Sequence, residues 1–111
     1  MIELSVREMI TWCRDVTEKF EQQAERRWTR KDVLTHHQGE ILEFLDEVHA
    51  DNKEGIVLEF WDSIFSMLTV LAIDDFKHIT DKEWYDGYLT IVAKINHRIE
   101  TNHYKKGRKY S

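Results

Sequence analysis

The feature that most restricts this chain is residues 56–73, an eighteen-residue run with thirteen apolar side chains and only Glu59, Asp62, Ser63, Ser66 and Thr69 as polar members. With Glu59 set at zero and ~100° of rotation per helical residue, the five fall at about 0°, 300°, 40°, 340° and 280°, inside an arc of roughly 120°. A helix apolar on all its other sides is buried on them. The run is therefore expected to be an inner helix that turns one polar strip, headed by two carboxylates, towards the interior or its mouth. The same two carboxylates interrupt the longest apolar stretch and argue against a membrane span.

The rest of the chain carries helix signals of its own. It has no proline and four glycines, and no hairpin dipeptide such as Asn-Gly. Ser5-x-x-Glu8, Thr29-x-x-Asp32 and Thr80-x-x-Glu83 each set a hydroxyl three residues ahead of a carboxylate, the pattern of a capping box. A fourth start falls at Asp51 or Asn52. Four helices are predicted, over about 5–25, 30–50, 53–74 and 81–104. Val6, Ile10, Cys13, Val16 and Phe20 line one face of the first. Leu34, Ile41, Phe44, Leu45 and Val48 do so on the second, and Trp84, Tyr88, Ile91, Val92, Ile95 and Ile99 on the fourth. The expected fold is an all-α four-helix bundle, a single domain over residues 1–111 with a frayed basic tail at 105–111. A chain of 111 residues leaves much apolar surface uncovered, so completion by oligomerisation is expected.

Charge narrows the function. The net charge is −5, but residues 105–109 hold four positive charges, leaving about −9 elsewhere from 12 basic against 21 acidic residues. An acidic body suits a collector of cations and not a general nucleic-acid binder. The one cysteine, Cys13, has no internal disulfide partner, which fits a reducing, cytoplasmic setting. Glu3, Arg7 and Glu8 stand where a signal peptide would need an apolar run.

The second helix offers a counterpart to the polar strip of the third. With Glu40 at zero, Glu47 lies near 340° and Glu43 near 300°, beside an apolar stripe centred near 80°. Acidic pairs at this spacing also occur on ordinary solvated faces. Facing each other, however, Glu40 with Glu43 and Glu59 with Asp62 would crowd four carboxylates into one space, and cations or protons would have to relieve the repulsion. Hard oxygen donors in that number suit Mg²⁺, with Mn²⁺ as the alternative.

Gly39-Glu40-Ile41-Leu42-Glu43, then fifteen residues, then Glu59-Phe60-Trp61-Asp62 resembles the ExxE…ExxD signature of the all-α nucleoside-triphosphate pyrophosphatases, the MazG family. The resemblance covers roughly residues 28–104. It implies cleavage of a nucleoside triphosphate between its α and β phosphates, with Glu40, Glu43, Glu59 and Asp62 as metal ligands and assembly as a homodimer or homotetramer. Gly39 and Leu42 depart from the commoner pattern, which has Glu and Gly there. The Gly-Glu form with a Trp ahead of helix two, as at Trp28, is similar to the dCTP pyrophosphatase branch. The family's basic and amide residues on the last helix are matched loosely by Lys94, Asn96 and Arg98.

On this reading Glu47, one turn beyond Glu43, is either the base that orients water or an outer-shell group. Trp28 and Trp61 offer aromatic faces to a base or to the core, and His36 or His37 could touch substrate or serve a structural hydrogen bond. The expected substrate-binding set is Trp28, His36, Lys94, Asn96 and Arg98. A phosphoribosyl-ATP pyrophosphatase shares the outline. The rival from another class is a non-catalytic dimeric helical module that binds a nucleotide or a protein.

Overall fold

In a computed structural model that describes residues 3–102, every regular element is helical. The order is α1 (Val6–Ala24), α2 (Arg30–His49), α3 (Lys53–Thr69), two single 3₁₀ turns (Val70–Ala72 and Asp74–Phe76), and α4 (Asp81–Glu100). The three hydroxyl starts are full capping boxes: Ser5, Thr29 and Thr80 each accept from the third helical N–H, and Glu8, Asp32 and Glu83 reach back to the cap. Asn52 precedes α3 but makes no side-chain cap. Its amide donates instead to Glu47 Oε2 at 2.8 Å.

The third helix ends earlier than its apolar run suggests. After Thr69 the chain tightens into a 3₁₀ turn and then extends at Ile73. Leu71, Ala72 and Ile73 are all buried, with Ile73 fully so. Three successive residues of a straight α-helix spread over ~200° and cannot share one buried side. Breaking the helix lets all three enter the core beside Ile10, Cys13 and Val33.

The chain divides into two compact units, Met1–Ile79 and Thr80–Ser111. In the first, α2 and α3 form an antiparallel-type pair joined by a short turn that ends in left-handed Asp51. A Cβ at Gly55, in the first turn of α3, would meet the Glu47 carboxylate and Asn52 amide, which would have to shift. In the second unit, α4 has no buried residue. The basic residues 105–109 lie outside the described residues.

The expected burial of α3 is reversed within this chain. Its buried residues are Ser66 and Thr69, from the polar strip. Val57, Leu58, Phe60, Trp61, Ile64 and Met67 are exposed, Leu58 at 59%. The expected apolar stripe of α2 is also exposed at Leu34, Ile41, Leu45 and Val48, while Val33 and His37 are buried. The strip faces inwards at Ser66 and Thr69 and in part at Glu59 and Ser63, whereas Asp62 is exposed, and the apolar sides are not covered by the described residues. Lys53–Ala72 is, by length and composition alone, apolar enough to cross a membrane, at a mean hydropathy of 1.5.

Candidate functional site

The α2 face turned to α3 descends through Val33, His37, Glu40, Phe44 and Glu47, and the α3 face through Glu59, Ser63, Ser66 and Thr69. Both follow helical spacing. The hydroxyls of the strip have definite partners. Ser63 Oγ lies 2.9 Å from Glu59 O and 3.1 Å from Glu40 O, so one donor ties the backbone of both glutamates across the helix pair. Ser66 Oγ donates to Ser63 O at 2.8 Å and lies 2.5 Å from His37 Nδ1. With its single proton used, Ser66 must accept there, which makes His37 Nδ1 the donor.

This staple brings carboxylates from the two helices together. Glu40, Glu43 and Glu59 each offer an oxygen within 4.8 Å of the others. Glu40 and Glu59 are half-buried and Glu43 is exposed. Burial raises the Glu40 carboxyl above its ordinary range, and the charges of Glu43 and Asp62 add to it while His36 opposes. Burial likewise raises Glu59, followed by the charges of Glu43, Asp62 and Glu40. Asp62 is exposed and sits outside the three-carboxylate group, but close enough for its charge to act on both glutamates.

Glu40 Oε2 and Glu59 Oε2 are buried with no hydrogen-bond partner. Two orphaned acceptors of the same sign, one on each helix, are costly unless a donor or a cation meets them. Opposed oxygen ligands of a hard divalent cation stand ~4–5 Å apart, and the three carboxylates offer oxygens no more than 4.8 Å from one another. The residues present could hold such a cation.

A second feature opens beside the carboxylates. A cavity of about 210 Å³ lies among α1, α2 and α3, with Glu40, Asp62 and His36 on its wall together with Trp12, Thr17, Phe65, Ser66 and Thr69. His36 Nε2 stands 3.8 Å from Glu40 Oε1, and its ring meets Trp28 edge-on at 6.2 Å. Trp28 also stacks on Phe20 at 6.1 Å. Its position is fixed from behind: buried Glu21 accepts the Trp28 N–H at 2.7 Å and stands 3.5 Å from Arg27. Trp28 and His36 thus share a shallow depression with Phe20 next to Glu40.

Glu47 and Trp61, in the same unit, belong to neither the carboxylate group nor the cavity wall. Glu47 is held at the α2–α3 turn by Asn52 and is not a member of the carboxylate group. Trp61 is exposed and meets Phe60 edge-on at 5.2 Å. Lys94 and Asn96 are exposed on α4 and Arg98 is half-buried there, all three in the second unit. Sequence reasoning missed α1 as a wall of the site. Thr17 and Trp12 gave no motif; the one available signal was a hydroxyl at a core position of an otherwise apolar stripe. No family model matches the chain, and comparisons with curated proteins and with solved structures find no match.

Proposed function

We propose that the chain is a Mg²⁺-dependent nucleoside-triphosphate pyrophosphohydrolase of the MazG-like all-α type, converting a (d)NTP and water to (d)NMP and pyrophosphate. The observation that carries this reading is the pair of orphaned, buried oxygens of half-buried Glu40 and Glu59 within a three-carboxylate group beside a cavity. Glu40, Glu43 and Glu59 would hold the cation, with Asp62 adjacent. When bound, the cation neutralises phosphate charge and lowers the pKa of a nearby water. Mn²⁺ offers the same coordination chemistry.

The chain's own residues do the positioning. Ser63 fixes the spacing of Glu40 and Glu59 by tying their backbones. Unscreened carboxylates repel a bare triphosphate, so substrate enters with cations. His36 and Trp28 border the site and can contact the nucleoside. Glu47 is the candidate base, and its tie to Asn52 holds it in one orientation.

The active form is a bundle completed by a second copy, as a homodimer or homotetramer. Among the described residues, nineteen large apolar side chains are exposed against six apolar residues buried in the core, a balance that favours cover by a second copy. A cytoplasmic location without membrane or nucleic-acid partners fits the acidic composition, the free and buried Cys13, and the carboxylates set within α3. The exposed faces would equally serve a non-catalytic dimeric module; the orphaned carboxylates favour the enzyme. Product analysis decides between them. Purified protein with Mg²⁺ should release pyrophosphate from at least one nucleoside triphosphate or from phosphoribosyl-ATP, and release of orthophosphate alone, or of nothing, overturns the assignment.

A further inference from the structure

We infer that His37 is a positioning residue for the carboxylate group: with its proton on Nδ1 it fixes Ser66, and through Ser66 it fixes Ser63, which sets Glu40 against Glu59. The inference rests on the functional reading above for the cation those carboxylates would hold, and adds the group that keeps them in register. Three observations carry it.

Burial comes first. His37 is 9% exposed and meets α3 through Ser66. An aliphatic side chain there would bury similar area with no polar group to satisfy. The imidazole instead keeps Nε2 buried with no hydrogen-bond partner among the described residues. An unpaired buried polar atom is a cost that packing does not explain, so what the ring contributes lies at Nδ1.

Direction comes second. Nδ1 stands 2.5 Å from Ser66 Oγ, and Ser66, itself 4% exposed, spends its one proton on Ser63 O at 2.8 Å. The reverse arrangement, with Ser66 donating to Nδ1, would move the ring proton to Nε2 and leave a buried N–H without an acceptor. Orphaned donors are rarer in folded proteins than acceptors short of a donor. The proton therefore belongs on Nδ1.

Continuity comes third. From His37 the bonds run to Ser66 Oγ and on to Ser63 O, while Ser63 Oγ reaches Glu59 O at 2.9 Å and Glu40 O at 3.1 Å. His37 stands three residues before Glu40, and Ser66 three after Ser63, so the His37–Ser66 tie lies about one helical turn from the Ser63 tie. Two helices tied at one level can pivot about it; a second tie one turn away removes that freedom. Groups that hold a cation must stay within ~0.5 Å of their working positions, which a pivot would not allow.

Heteronuclear NMR of the full chain at pH 8 reads the tautomer. His37 should show a protonated Nδ1 and a bare Nε2, and the opposite pattern overturns the inference. Calorimetric titration with Mg²⁺ reads the positioning. In His37→Asn the amide nitrogen is bonded to Cγ, as Nδ1 is, so the donor is kept. In His37→Gln it lies one bond further out, and in Ser66→Ala the acceptor is gone. Mg²⁺ affinity should fall about tenfold or more in His37→Gln and Ser66→Ala, and stay within about threefold of wild type in His37→Asn. Circular dichroism establishes which variants fold, and Ser66→Ala, which deletes one oxygen, carries the test should His37→Gln not fold. Wild-type affinity in the folded Gln or Ala variant overturns the inference. So does an equal loss in His37→Asn, which would make the ring's bulk the requirement and not its donor. Pyrophosphate release separates the two claims. Mg²⁺ binding that depends on His37, with no hydrolysis, sinks the enzyme and leaves the positioning role; hydrolysis with Mg²⁺ affinity indifferent to His37 and Ser66 does the reverse. A wild type that binds no Mg²⁺ overturns both.

Discussion

α1 and α3 are 19 and 17 residues long and wall the same cavity, yet they differ in what they bury. α1 buries apolar Ile10 and Cys13 beside Thr17 and Glu21, and leaves charged residues such as Glu18 and Lys19, with Trp12 and Phe20, in water. α3 buries Ser66 and Thr69 and leaves Val57, Ile64 and Met67 in water. An amphipathic helix of the first kind is stabilised by its own core. The second kind places hydroxyls and carboxylates inside, where they forfeit hydration, and keeps its apolar area in reserve. Each large side chain in that area contributes ~1.5–3 kcal/mol once covered. The difference teaches that α3 is shaped by what it must present on both sides, a polar site on one and a partner on the other.

The sharpest way to break the comparison is to neutralise the polar side of α3. Glu59→Gln should lower pyrophosphate release by about two orders of magnitude or more, beyond the ~10–100-fold typical of residues that only support ligands. Steady-state rates under saturating Mg²⁺ measure it. A loss of less than tenfold would remove Glu59 from the working site and leave α3 polar for structural reasons alone.

α1 should behave as the closed side. Burial pushes the Cys13 thiol up from 9.0 to about 11. At pH 8 the thiolate fraction is then ~100-fold below that of an unfolded chain, and thiolate is the reacting species. Alkylation by iodoacetamide should be slower by at least that factor in the native protein than in denaturant. Comparable rates would show that α1 is as open as α3.

The apolar side of α3 is tested by mass. Val57 and Ile64 lie two turns apart on the side opposite the polar strip. Val57→Glu with Ile64→Glu should convert an oligomer to a monomer at micromolar concentration by light scattering. A wild-type monomer, or a double variant of unchanged mass, would deny that this face is covered by a second copy.

These contrasts also explain what was legible in the sequence. The helix starts at Ser5, Thr29 and Thr80 were readable because a capping box is local chemistry, complete within four residues. The inward turn of the polar strip was readable from its narrow arc, and so was the meeting of Glu40, Glu43 and Glu59. The end of α3 at Thr69 was not, because only the core decides that Leu71, Ala72 and Ile73 enter it together. Nor was the exposure of Leu34, Ile41 and Leu45, since periodicity marks an apolar face without saying which molecule covers it. Glu47 looked like part of the acidic ridge by rotation alone; its bond to Asn52 depends on a turn that no period describes.

The smallest expected effect separates repulsion from pairing at Asp62. Its charge raises the carboxyls of Glu40 and Glu59, after burial and the charge of Glu43. Carboxyls raised in the folded state bind more protons there than in the unfolded chain. The stability this group contributes is therefore fully present below the ordinary carboxyl range near 4.5 and is lost as pH rises through the folded values. Above those folded values the metal-free protein carries that loss, and Mg²⁺, binding the folded state alone, should offset it. Asp62→Asn takes one repelling charge away. Its metal-free melting temperature at pH 7 should rise by a few degrees, its decline between pH 5 and pH 7 should flatten, and its gain from Mg²⁺ should shrink. Melts of both proteins in EDTA and in Mg²⁺ at the two pH values read all three. A variant less stable in EDTA would mean that Asp62 is a paired structural carboxylate. An undiminished Mg²⁺ gain would place the cation on Glu40, Glu43 and Glu59 without it.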